Sequence, residues 1–429
     1  MAIGVFFLIF FVFIAIGTPM AVVFGGMSFL PGLLSSSVPY TVDAAVRSMF
    51  ASLNSFTMLA VPLFMLSGII MARGGISKKL FDFFAYFIGN LTAGLPCAVV
   101  LTCMFYGAIS GSSPATVSAV GAMCIPFLTN LGYDLVFSTA IVTVAGGLGV
   151  IIPPSISYIV FAGASDTSPA DLFIAGIIPG VLIGLCLCVC CYLICRKSGE
   201  DKAVLKKNYD ELHKQGFGHV LKDSFAALLT PVIILGSIYG GICSPTEAAA
   251  VSVVYALIVS LFIYKSLKFS EVLTMFIEGS KSYINILFII ASATAFGRCL
   301  TILQYPQMVS NAILGTFSNK YVIIIIMNLI LLVFGMIMDN IPNIMILTPI
   351  LLPIATSIGM NPVHFGIMMT CNLAIGMVTP PMGINLYVAS GMTKVPVMKL
   401  SKATIPFLIS FLIALMIIAF VPAITLCLL

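Results

Sequence analysis

Charge is what this 429-residue sequence has least of. Only 8% of its residues are Asp, Glu, Lys or Arg, against 61% hydrophobic, where a soluble domain is nearer a quarter charged. That scarcity excludes an ordinary water-soluble globule. Tryptophan is absent, so any aromatic belt at a membrane surface must use Tyr and Phe. The three histidines, His213, His219 and His364, form no ligand spacing, and none lies near a Ser or Cys motif. A metal centre and a nucleophile–base pair are therefore not expected, and with them an enzyme. Alternating short strands are also missing, which argues against a β-barrel. A basic n-region is lacking ahead of "MAIGVFFLIFFVFIAIGTPMAVVFGG", a run also too long for a cleavable signal.

Apolar runs are there in abundance. They recur at about 3–30, 50–72, 94–108, 113–128, 134–162, 170–195, 224–243, 246–264, 283–302, 321–338, 341–357, 362–391 and 403–428, which predicts an all-α polytopic membrane protein. The net charge of +5 concentrates in "RKSGEDKAVLKKNYDELHKQGFGHVLKD", residues 196–223. By the positive-inside rule that segment is cytoplasmic; its many acids argue against a nucleic-acid patch. Twelve cysteines include five within "CLCVCCYLIC" (Cys186 to Cys195), which without a companion His or carboxylate read as small buried hydrophobes. "FDFFAYFIG" (81–89) reads as an interfacial helix.

Two Gly/Pro breaks interrupt the apolar pattern. "GAISGSSPATV" (107–117) and "GMIMDNIPNIM" (335–345) share the spacing of Gly107 to Pro114 and Gly335 to Pro342. Further on, Pro126, Gly132, Gly149, Pro153, Pro154 and Pro179 match Pro353, Gly359, Gly376, Pro380, Pro381 and Pro406 at a constant offset (353 − 126 = 227). This is an internal duplication. The first half is 1–195, with a hairpin at about 94–128 and a broken helix at about 134–162. The second is 224–429, with a hairpin at about 321–357 and a broken helix at about 362–391, and the basic loop 196–223 joins them.

Arg73, Lys78 and Lys79 mark a cytoplasmic end, as do Lys265, Lys268 and Lys281. These sides agree only if 94–108 and 113–128 form a re-entrant hairpin. Five crossings then separate the two hairpins, and an odd number inverts the second copy. Inverted repeats with hairpins and interrupted helices are the plan of secondary transporters. Lys394, Lys399 and Lys402 fall inside on this scheme, and Lys320 is its exception.

Non-helical backbone survives at membrane depth only where it is buried in protein or lines a wet cavity. The breaks "SGSSP", "MDNIP", "GVIIPPS" and "MVTPPMG" thus predict two equivalent Na⁺ sites. The first uses Ser110, Ser113 and backbone around Gly149, Ile152 and Pro154; the second uses Asp339, Asn340 and backbone around Gly376, Thr379 and Met382. An anionic substrate between the tips would meet Ser112 and Ser157, with Arg298 and Asp339 as further candidate contacts, and gain from half-helix N-termini. Helix capping competes as a role for Ser113 and Asp339. Arg298 has three readings: substrate carboxylate, Asp339, or a snorkelling helix end. Ser244 to Glu247, and Ser168 to Asp171, read as helix starts.

Across nearly the whole chain the sequence resembles the large membrane subunit of TRAP (tripartite ATP-independent periplasmic) transporters. The resemblance rests on "AVPLFMLSGIIMARGG" (60–75), "GAISGSSPATVSAVG" (107–121), "GVIIPPSISYIVFAG" (149–163), "LFIAGIIPG" (172–180), "SPTEAAAV" (244–251), "LTPILLPI" (347–354) and "GMVTPPMGINLYVASG" (376–391). It implies a bacterial inner-membrane permease driven by Na⁺, taking up an organic acid by an elevator mechanism. It also implies two partners, a small four-helix membrane subunit and a periplasmic substrate-binding protein. C4-dicarboxylates and sialic acid are the implied cargo classes, and "SGSSP" with "PPSISYIVF" is similar to the sialic-acid branch. The rival is a channel, which would need one continuous pore lined by like charges or a symmetric filter.

Overall fold

Helix punctuation sets the architecture of the computed structural model, which describes residues 3–34 and 40–429 and contains helices but no strands among them. Gly17, at φ +84°, and Pro19 split the first apolar run into α1 (Ile3–Ala15) and α2 (Met20–Leu34), where one element over 3–30 is expected. Proline restricts the residue before it and cannot continue a hydrogen-bonded helix. A second division follows: α3 (Val42–Leu53) is bent by 65° from the segment Thr57–Arg73, which contains α4 (Ala60–Arg73). The amphipathic α5 (Ile76–Ile88) comes next.

The first hairpin is α6 (Gly94–Ser110) and α7 (Ser113–Asn130), packed on each other across a two-residue tip. Its arms of 17 and 18 residues are each about 26 Å long at 1.5 Å per residue. Then α8 (Leu135–Ala145) tightens to a 3₁₀ turn over Gly146–Val150, breaks at the Pro153-Pro154 cis peptide and resumes as α9 (Ile156–Ser165). Ser168 accepts from the Asp171 amide at the start of α10 (Pro169–Ser198), whose cysteines form no disulfide. The basic segment, expected as a loop, holds α11 (Lys202–Lys214).

In the second half, α12 (Phe217–Tyr239) leads to α13 (Pro245–Ile258), started by the Ser244–Glu247 capping box and ended by a π-helical turn over Val259–Ile263. The helix expected from 283 starts earlier, as α14 (Phe269–Ile302), because a polar amphipathic stretch precedes its apolar part. A short α15 (Tyr305–Thr316) precedes the second hairpin, α16 (Lys320–Ile337) and α17 (Asn340–Ser357). After it come α18 (Pro362–Gly376), the Pro380-Pro381 cis break, α19 (Ile384–Thr393), α20 (Val397–Phe420) and α21 (Ala423–Leu426).

Helix boundaries repeat to within one residue of the proline and glycine landmarks. Both ends of α7 recur in α17 (340 − 113 and 357 − 130, each 227), and both ends of α9 recur in α19 (384 − 156 and 393 − 165, each 228). The halves also interlock: α17 packs on α9, and α19 packs on α7. On the far side, Phe6, Phe10 and Phe24 stack on Phe296 of α14 at centroid distances of 5.9, 5.6 and 5.6 Å. In lipid such contacts act through van der Waals packing rather than water release, and aromatic pairs contribute about 0.5–1.5 kcal/mol each. Seven helices among the described residues are long and apolar enough to cross a membrane.

Candidate functional site

Each hairpin is pinned to the interrupted helix of its own half by a glycine crossing. A Cβ added to Gly107 would lie 2.7 Å from the Gly149 Cα, and one added to Gly376 would lie 2.6 Å from the Gly335 Cα. Real Cβ atoms do not approach so closely, so only glycine lets these backbones touch. The break of each interrupted helix is bonded to its hairpin as well. The Ile156 amide donates to the Gly111 carbonyl at 3.3 Å, and the Met382 amide donates to the Met336 carbonyl at 3.2 Å.

The first tip turns on Gly111, which ends α6 at φ +60°. Three oxygens converge there. The Thr116 hydroxyl donates to the Ser112 carbonyl at 2.8 Å and lies 3.0 Å from the Ser110 hydroxyl, which reaches the same carbonyl at 3.3 Å. A Cβ on Gly149 would collide with Thr116 Oγ1 and lie 2.7 Å from the Ser112 carbonyl oxygen, and one on Gly111 would lie 3.0 Å from the Pro154 carbonyl oxygen. Ser110, Gly149 and Pro154 are thus neighbours. The Ile152 side chain turns towards Gly180 of α10, which leaves the expectation for its backbone untouched. Ser113 is not a helix cap: Ser112 occupies that position, and the buried Ser113 hydroxyl accepts from Asn385 Nδ2 at 2.7 Å. Asn385 also reaches the Thr143 carbonyl at 3.3 Å, tying α19 to the first half.

The second tip is built from a carboxylate and amides. Asp339 caps α17 by accepting from the Asn340 amide at 2.7 Å. Asn343 donates to the Met338 and Phe334 carbonyls at 3.0 and 3.2 Å. Among the described residues, Asn343 Oδ1 and both side-chain atoms of the buried Asn340 have no hydrogen-bond partner. Such atoms are costly to bury unless an ion or water satisfies them, and hard cations take oxygen ligands. The two amide oxygens, Asn340 Oδ1 and Asn343 Oδ1, suit Na⁺, as does the oxygen cluster of the first tip; Asn340 Nδ2 calls for an acceptor instead. Thr379 spends its hydroxyl on the Ile375 carbonyl at 2.8 Å, and Met382 is exposed.

A cavity of about 300 Å³ opens beside the first tip, lined by Ser110, Ser112 and Ser118 of the hairpin, Gly68 and Arg73 of α4, and Ser282 of α14. Neither Ser157 nor Asp339 lines it; Ser157 is buried at the start of α9. Arg298 is exposed on α14 and makes no ion pair among the described residues, with Asp339 or otherwise. Sequence reading missed Thr116, Asn343 and Asn385. The duplication carried part of the signal, since Thr116 matches Asn343 (343 − 116 = 227); Asn385 aligns with Ser157 only through the helix boundaries (385 − 157 = 228).

Two hairpins and two broken helices in an internally duplicated helical membrane protein narrow the field, and comparison with known proteins decides it. Residues 7–424 match the profile of the DctM component of the tripartite ATP-independent periplasmic transporters. The chain belongs to this family. It is similar to the isethionate TRAP transporter permease of Oleidesulfovibrio alaskensis, 39% identical over 97% of this chain and 64% of that one. A C4-dicarboxylate TRAP large permease of Pseudomonas aeruginosa is 39% identical, covering 91% of this chain and 90% of that one. The sialic acid TRAP large permease of Vibrio cholerae is 34% identical, over 95% and 93%. Among solved structures, the Neisseria gonorrhoeae MtrF efflux pump aligns with a TM-score of 0.62 at 15% identity over 94% of each chain. The Alcanivorax borkumensis YdaH transporter gives 0.58 at 13%, over 94% of this chain and 96% of that one. This DctM-family permease therefore shares a helical transporter fold with them.

Proposed function

We propose that this permease is the large subunit of a Na⁺-coupled importer of a small organic acid. The observation that carries the reading is the pair of oxygen-rich hairpin tips, each held against an interrupted helix by a glycine crossing. At each tip, half-helix ends and short polar side chains offer ligands for a cation at little cost in fixed charge. Cation occupancy at Ser110, Thr116 and the Ser112 carbonyl would order the tip that borders the substrate cavity. The same role falls to Asp339 and Asn340 in the other half. Anion and cation then stabilise each other's bound state, which is the thermodynamic content of coupling. The duplicated halves support an inverted, elevator-type alternation of access in the inner membrane.

The relatives' names give isethionate, C4-dicarboxylates and sialic acid as cargo of those proteins, and a short organic acid is the class common to them. Membership of the tripartite family implies a small membrane subunit and a periplasmic binding protein as partners. Reconstitution of the three components in liposomes tests the reading. Labelled succinate, isethionate or sialic acid should accumulate above its external concentration only with an inward Na⁺ gradient. Equal accumulation in Na⁺-free buffer under a proton gradient would overturn the coupling. Passive equilibration without saturation would favour the channel.

A further inference from the structure

One charged side chain lines the cavity beside the first tip. It is Arg73, on the last turn of α4. Gly68, five residues earlier, touches the tip itself, since a Cβ there would lie 3.0 Å from the Ser110 Cα. At 1.5 Å per residue Arg73 stands about 7.5 Å along α4 from that contact. The cavity thus runs from hydroxyls at one end to a guanidinium at the other, between the apolar walls of Met65, Ile69 and Ala119. Its volume of about 300 Å³ sits at the small end of ligand sites.

The guanidinium is paired with Glu278 of α14, and both side chains are almost half exposed (45% and 44%). Exposed pairs of this kind contribute little, about 0–1 kcal/mol, so the pair is cheap to open. Glu278 lies one turn before Ser282, which lines the cavity and donates to the Glu278 carbonyl at 3.0 Å. The planar guanidinium fork matches a carboxylate or sulfonate in two hydrogen bonds.

We propose that Arg73 is an anion subsite of this cavity, receiving the carboxylate or sulfonate of the cargo, and that Glu278 is its displaceable counter-ion. The assignment rests on the transporter reading above and gives the organic anion a second anchor beyond the hairpin tip. An anion that leaves the tip towards Arg73 displaces Glu278. Its departure lets the ion pair re-form and clears the site for the next cycle.

The test is exchange by the complete three-component transporter in proteoliposomes, with succinate, isethionate or sialic acid as probe, whichever the parent exchanges. Internal anion concentration is varied on the side bearing Arg73. Arg73→Gln should raise the half-saturating concentration about tenfold while leaving the maximal rate within about twofold. Glu278→Gln should lower it about threefold by removing the competitor. The charge swap Arg73→Glu with Glu278→Arg re-forms the ion pair and should leave the half-saturating concentration as high as Arg73→Gln does. A parental value in the swap would make the pair a structural latch only and overturn the proposal, as would parental behaviour of Arg73→Gln. Should Arg73→Gln fail to assemble, Arg73→Lys keeps the charge, loses the fork and should raise the value about threefold; no change would again overturn it. If the parent exchanges none of the three anions, the transport reading itself falls and takes this one with it.

Discussion

The two hairpin tips occupy matched places in the duplicated halves and are chemically unlike. The first is made of hydroxyls and a carbonyl that satisfy one another at 2.8–3.3 Å. The second carries Asp339 and Asn340, with three amide atoms of Asn340 and Asn343 left without partners among the described residues. A hydroxyl can rotate between a neighbour and an ion at small cost, so the oxygens of the first tip already have partners before a cation arrives. A buried amide with nothing to bond is costly. The second tip therefore has more to gain from a ligand. Equivalent backbone, unequal need: a duplicated scaffold can hold two ion sites of different affinity without changing its helices.

The largest effect should come from breaking what the tips share. Gly376→Ala or Gly149→Ala drives a methyl into backbone or tip oxygens, and overpacking costs about 1–3 kcal/mol. Transport should be lost and the melting temperature should fall. Gly236→Ala is the control, because nothing among the described residues lies within 4 Å of its added Cβ inside α12, and helix propensity should stabilise it by about 0.5–1 kcal/mol.

Next in size is the test of unequal need. Asn340→Ala should raise the half-saturating Na⁺ concentration about tenfold while melting in Na⁺-free buffer is unchanged or improved, because an unpaired buried amide has been removed. Ser110→Ala should weaken both, since its hydroxyl is already employed. If the two variants behave alike, the contrast between the tips has no energetic content. Asp339→Asn should weaken Na⁺ dependence without loss of expression.

A smaller effect concerns the bridge between halves. Ser113→Ala and Asn385→Ala each break the 2.7 Å bond and should cost about 1 kcal/mol, with a coupling of similar size in the double-mutant cycle. Additivity of the two would show that the bond does no joining.

The smallest effect is at the hairpin bases. Glu200 accepts the Ala93 amide at 3.0 Å and the Tyr133 hydroxyl at 2.6 Å, clamping both ends of the first hairpin; Met360 takes the Tyr133 place in the second (360 − 133 = 227). Burial, reinforced by the Glu200 carboxylate, raises the Tyr133 phenol above its ordinary value. A raised folded-state value means this contribution is complete below the unfolded phenol range near 10 and is lost only as pH climbs through the folded one. Tyr133→Phe should speed amide exchange at Ala93 a fewfold at neutral pH. The parent should show no such loosening until strongly alkaline conditions.

The breaks were legible because Gly and Pro act locally. Gly111, Pro114, Pro153 and Pro380 constrain their own backbone whatever surrounds them, so their spacing carried the hairpins and interrupted helices into view. The division at Gly17-Thr18-Pro19 was hidden by an apolar run that continues unbroken across it. Side-chain direction was not legible at all. Whether Ser113 caps α7 or meets Asn385, and whether Arg298 turns in or out, depends on helices more than a hundred residues away. Ser112 lines the cavity and Ser157 does not, although both flank breaks.

Stiffness follows from the glycine crossings. Where Gly107 meets Gly149 and Gly335 meets Gly376, no rotamer stands between the backbones, so neither joint can yield by a side-chain hop. Each hairpin and its interrupted helix therefore behave as one rigid unit. A permease of this build would resist deformation at its hairpin tips and yield at its walls.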